Sequence, residues 1–170
     1  MPLILKKGKF LINPIELESL DKDLESLIDS QSAKSILNWA RQYLSRSNPN
    51  LGRKGPVCPF VEPSITKNNF WITINETSGN NEKLIHDLVI HFRNWFLELQ
   101  PLEGPESLTK TILILFPNIK KLNFNNIDKV QKRLKPHFIK KGLMIGQFND
   151  GCQEPGLRNP NYHPLQSPIP

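Results

Sequence analysis

The sequence predicts an α/β domain built on a small central sheet of about three or more strands covered by helices, with α+β as the alternative. Three observations carry that prediction. A purely apolar run, Ile112 to Phe116, is followed by Pro117 and has the length and composition of a strand buried on both faces. Phe70-Trp71-Ile72-Thr73-Ile74 is aromatic and β-branched, as strands are. Between them Leu84, Ile85, Leu88, Val89, Phe92, Trp95, Phe96 and Leu99 recur at helical spacing and form a wide apolar stripe.

The remaining elements follow in chain order. Asn13-Pro14 marks a helix start, and the acids after it suit a first turn, so a helix is expected over 14–29. Ala33, Ile36, Leu37, Ala40, Tyr43 and Leu44 repeat helically until Ser47-Asn48-Pro49-Asn50, which completes an N-terminal helical pair. A Gly/Pro-rich loop leads to the first predicted strand. Ile127, Val130, Leu134 and Phe138 predict a fourth helix, which Pro136 should kink or end early. A last strand is expected over 143–148. The order strand, helix, strand, helix, strand implies two or three layers.

A length of 170 residues points to a single domain, with a helical region over 1–46, an α/β core over 47–148 and an ordered Pro-rich tail over 149–170. That tail holds five prolines and two glycines, yet Leu157, Tyr162, Leu165 and Ile169 can anchor it. No apolar run approaches the roughly 20 residues of a spanning helix. The apolar start, Leu3-Ile4-Leu5, is too short for a signal peptide and carries its lysines on the wrong side, so a cytoplasmic location is expected. Cys58 and Cys152 are too few for a disulfide framework and are expected as free thiols.

The net charge of +6 is local. Lys120 to Lys141 contains eight Lys or Arg against Asp128 alone, so the rest of the chain is close to neutral. A basic helix over 120–141 is a candidate nucleic-acid surface through Lys129, Lys132, Arg133 and Lys140. It lacks interleaved aromatics or a recognised motif, and a solvated face is the preferred reading. Walker, GxGxxG, GxSxG and HExxH patterns are absent, which removes their support for phosphate-loop and common hydrolase chemistry.

Candidate site residues lie in the 52–63 loop and the tail. Cys58 sits between Pro56 and Pro59 near Arg53 and Lys54, an environment for a nucleophile, redox thiol or ligand, or a small hydrophobe sealing the loop. His163 and His137 each adjoin a proline that stiffens the backbone and can hold an imidazole toward a cofactor or substrate. Arg158, between Gly156 and Pro160, can clamp a carboxylate or phosphate, or brace the tail. His91 reads as a packing residue and His86 as solvent-facing. Cys58, Cys152, His137 and His163 are zinc-ligand types but lack paired spacing, so no metal is expected.

Gly52-Arg53-Lys54-Gly55-Pro56-Val57-Cys58-Pro59-Phe60, Lys135-Pro136-His137-Phe138, Lys141 to Phe148 and Gly151 to Pro160 resemble the blocks of an uncharacterised bacterial domain family. That resemblance covers most of the chain after residue 45 and implies no activity. Val57-Cys58-Pro59-Phe60, Ile114-Leu115-Phe116-Pro117 and His163-Pro164 are also similar to blocks of the YqcI/YcgG family, some of whose members are haem-dependent N-hydroxylases. What that likeness implies is an oxidative, haem-dependent, oxygenase-like enzyme with His163, His137 or Cys58 toward the cofactor. The chain stops soon after His163, short of that family's C-terminal part. The alternatives are a noncatalytic ligand-binding or accessory module using the same loops, and a nucleic-acid binder.

Overall fold

The computed structural model describes residues 4–6, 9–20 and 29–170. The chain opens with a hairpin that sequence reasoning missed: β1 (Ile4–Lys6) pairs antiparallel with β2 (Lys9–Leu11). The chain then joins the main sheet at one point. Ile12 N–H donates to the Ile72 carbonyl at 2.9 Å and Ile72 N–H returns a bond of 2.8 Å. The expected helix over 14–29 is one short helix, α1 (Pro14–Glu18), and 21–28 lie outside the described residues. Asn13 begins α1 with a capping box: its side chain accepts from Glu16 N–H, and the Glu16 carboxylate accepts from Asn13 N–H. Asp29 caps α2 (Ser30–Trp39) in the same manner by accepting from Ser32 N–H. The helix then widens into a π-helical turn, Ala40–Leu44. Pro49–Leu51 forms a 3₁₀ turn that ends at Gly52, and Val61–Thr66 forms a further short helix, α3, which the apolar pattern did not mark.

β3 (Phe70–Ile74) and β4 (Thr111–Leu115) pair in parallel, Phe70 opposite Thr111 and Ile74 opposite Leu115. Their crossover carries α4 (Glu82–Glu98), capped by the Asn81 side chain. After β4 comes a 3₁₀ turn (Lys121–Asn123) and α5 (Phe124–Ile139). Pro136 does not end α5 early. The helix runs three residues past it, because the only interior bond it forfeits lies in the final turn.

Alternation along the strands divides the interior into two cores, one on each face of the sheet. Phe70, Ile72, Leu113 and Leu115 pack against Leu17, Ala33, Ile36, Leu37 and Leu44. Trp71, Ile112 and Ile114 face the other way, against Ile85, Leu88, Phe92 and Trp95 of α4 and Ile127, Val130 and Leu134 of α5. The result is a small α/β domain with helices on both faces of the sheet.

The expected strand over 143–148 does not form. The segment has no regular secondary structure and belongs to no ladder. Its carbonyl at Ile145 is taken by the Gln131 amide at 3.1 Å, its Leu143 and Ile145 side chains sink into the α4–α5 core, and Phe148 crosses to the opposite core. Side-chain burial, rather than backbone pairing, holds it.

Candidate functional site

The geometry around the tail begins at the π-helical turn. Tyr43 presents its hydroxyl 2.6 Å from the Tyr162 hydroxyl and donates to the Pro164 carbonyl at 3.1 Å. Asn48 Nδ2 donates to Tyr162 Oη at 2.7 Å, and Asn159 Nδ2 donates to the Asn50 carbonyl at 2.8 Å. Burial, reinforced by Tyr162, raises the Tyr43 phenol well above its ordinary range, so its hydroxyl stays protonated at neutral pH. Trp39 stacks on Tyr43 and meets Phe148 edge-on, closing the aromatic floor below.

The Cys58 loop is fixed to the same turn from the other side. Val57 N–H donates to the Arg46 carbonyl at 2.9 Å and Cys58 N–H to the Leu44 carbonyl at 2.8 Å. Gly52 turns the chain at φ +67°, and a Cβ there would come within 3.2 Å of Arg158 Cβ and 3.3 Å of the Arg158 carbonyl. Glycine is thus needed at Gly52 both for its left-handed backbone and for the passage of the tail. Residues 48–52 and 158–164 therefore touch directly.

Of the predicted site residues, Arg158 and His163 lie on the tail side of this contact and Cys58 lies six residues beyond Gly52 on the other side, while His137 lies on neither segment. Cys58 is half-buried at the edge of the α2 core. Arg53 donates to the Lys54 and Val57 carbonyls of its own loop at 3.1 and 3.0 Å. Arg158 is exposed. His163 is half-buried between Tyr162 and Pro164, and its Nδ1 is buried without a hydrogen bond. His137 is exposed in the last turn of α5, whereas the tail reaches the first turn of that helix through Gly151 against Phe124 and Lys121 against Asp150. Thirteen residues of helix put about 20 Å between those points.

Cys152 is 6% exposed, and burial pushes its thiol up, with Asp128 and Glu154 adding to the rise. The Asp128 carboxyl is itself raised, first by burial. Among the described residues no group of three His, Cys, Asp or Glu could hold a metal ion. His86 leans on Asp87 at 3.1 Å, and His91 packs on Phe92 and Trp95. The basic helix is partly neutralised, Arg133 pairing with Glu82 and Lys121 with Asp150. Among the described residues no helix is long and apolar enough to cross a membrane.

Sequence reasoning missed the roles of Tyr43 and Asn48, and named Tyr162 only as an apolar anchor of the tail. Tyr43 looked like one more apolar position on a helical stripe, and only the tertiary return of the tail shows that its hydroxyl has work to do.

Fold and site define a small α/β domain whose distinctive loops, far apart in sequence, meet over one face. The chain belongs to the family described as Domain of unknown function (DUF6875), whose model matches residues 33–170. This fits the uncharacterised family that the GRKGPVCPF, KGLMIGQF and GCQEPGLRNP blocks resemble, whereas the likeness to YqcI/YcgG is not shown. Comparison with curated proteins and with solved structures gave no match.

Proposed function

We propose that the protein binds a small molecule where the 52–60 loop meets the tail, with His163 as the central contact and Cys58 and Arg158 at its margins. The carrying observation is the His163 ring. Tyr43 ties both neighbours of the ring, the Tyr162 side chain through its hydroxyl and the Pro164 backbone through its carbonyl, yet Nδ1 is buried and has no partner. A buried polar atom left open costs about 1–3 kcal/mol, so holding one rigidly suits a group that a ligand completes. Arg158, exposed and always charged, suits an anionic part of that ligand.

The narrower reading is an oxidative enzyme that uses haem, with His163 or Cys58 toward the iron. His137, exposed in the last turn of α5, is left out of this reading. A thermal-shift screen against a low-molecular-mass cell extract, run on the protein and on His163→Ala, tests the broad reading. Stabilisation by some fraction that disappears in the variant supports it. Equal responses in both proteins contradict it. Titration with haem tests the narrower reading: absence of a Soret band removes it and leaves the noncatalytic binding module.

A further inference from the structure

Buried polar side chains in this protein are mostly satisfied. Asn13, Asn69, Lys110, Gln131, Asn149 and Ser167 each have a hydrogen bond. Of the buried side-chain atoms without a hydrogen bond, those of Ser64, Asn68, Asp128 and His163 are scattered, but three stand in a row on one face of one strand. Trp71 Nε1, Thr73 Oγ1 and Asn75 Nδ2 are all buried and make no hydrogen bond within the protein. Their residues are 8%, 1% and 9% exposed.

Period-two alternation sets all three toward the α4–α5 layer, since Phe70 and Ile72 point into the opposite core while Trp71 joins this one. Asn75 continues the ladder by donating its N–H to the Leu115 carbonyl at 2.9 Å, so the alternation holds to the end of the row. The row therefore runs from the second residue of β3 to just past its carboxyl end. That end of a parallel strand pair is where open α/β sheets place their ligands.

All three groups are donors: an indole N–H, a hydroxyl and an amide N–H. Their complement is a molecule rich in acceptors. The electrostatics favour an anion at the carboxyl end. The loop after Asn75 is tied to the start of α5 by Asn118 to the Glu76 carbonyl, Asn123 to the Ser78 carbonyl and Asn126 to the Gly79 carbonyl. The first turn of that 16-residue helix has no side-chain cap and no acid. Toward Trp71 the surroundings are apolar, and Lys110, the buried cation among the described residues, is bound to the Leu99 and Pro101 carbonyls at 2.6 and 3.2 Å. A neutral acceptor suits the deep end.

We propose that Trp71, Thr73 and Asn75 form a second binding site, separate from the tail site, for a short-chain acid carrying a carbonyl oxygen several ångströms from its carboxylate. The carboxylate takes Asn75 and Thr73; the carbonyl takes the Trp71 indole N–H.

The indole N–H resonance of Trp71, assigned with Trp71→Phe, reports on the site directly. Levulinate supplies both acceptors, pentanoate lacks the carbonyl and acetamide lacks the charge. The expected result is a saturable shift with levulinate, at least about tenfold weaker with pentanoate and in Thr73→Val, and restored in Thr73→Ser. Thr73→Val is near-isosteric, and a dispersed amide spectrum verifies its fold. An indole resonance unmoved by all three probes shows that only ordered water completes these groups and overturns the proposal. So does a shift indifferent to Thr73→Val.

Discussion

Tyr43 and Tyr162 stand 119 residues apart in sequence with their hydroxyl oxygens 2.6 Å apart. That contact joins the π-helical turn of the N-terminal half to the end of the tail. Tyr43→Phe removes this bond and the donor to the half-buried Pro164 carbonyl, and should cost about 1–3 kcal/mol. Chemical denaturation measures it. Tyr162→Phe should cost less, because Pro164 keeps its donor, and the double variant should fall short of the sum by about 0.5 kcal/mol or more. Additive losses would show that the two hydroxyls do not cooperate.

The two thiols should differ in reactivity. Cys58 is half-buried, whereas Cys152 is 6% exposed and held protonated by burial. A maleimide added to the native protein at neutral pH should modify Cys58 first, with Cys152 following on unfolding. Peptide mapping after brief labelling decides the order, and prior modification of Cys152 would contradict this geometry.

Asp128 should make stability fall as pH rises through its folded pKa. Burial raises that pKa above the unfolded value, so the folded state holds the proton more tightly and the favourable contribution is fully present below the unfolded pKa and lost as pH rises through the folded one. Asp128→Asn should therefore stabilise the protein at pH 7, with the advantage shrinking as pH falls toward 4. Denaturation midpoints of both proteins across that range check the slope; a gain that grows on acidification would reverse the assignment.

Lys110 closes the end of α4. Its ammonium donates to the Leu99 and Pro101 carbonyls and lies 4.7 Å from the centre of the Phe96 ring. Lys110→Met keeps the apolar stem but leaves those carbonyls unpaired, and should cost about 1–3 kcal/mol. An unchanged melting temperature would show that the ammonium only fills space.

Elements with one dominant period were legible in the sequence. Phe70–Ile74, Thr111–Leu115 and the stripe over α4 could each satisfy only one geometry, and the structure has all three. The segment 143–148 was misread for a physical reason: Leu143, Ile145 and Phe148 alternate as a strand does, but alternation reports side-chain burial and not a backbone partner. The β1–β2 hairpin carried too short a pattern to register. At the tail, composition drew attention to a segment able to pack, and Tyr162, Leu165 and Ile169 are partly buried there, whereas Leu157, expected as an anchor, is fully exposed. The residues that bind these segments together, Tyr43 and Asn48, were hidden because a hydroxyl or amide on a helical edge looks ordinary until its distant partner is known.

The His163 ring is the place to test the account directly. Imidazole resonances of selectively labelled protein can be followed while low-molecular-mass fractions of a cell extract are added. The account predicts a saturable shift of the His163 ring with at least one fraction, lost in Tyr43→Phe, where the ties to both neighbours of the ring are released, while His86 and His137 stay unmoved. A His163 ring that no fraction shifts, or that shifts together with exposed His137, would contradict it.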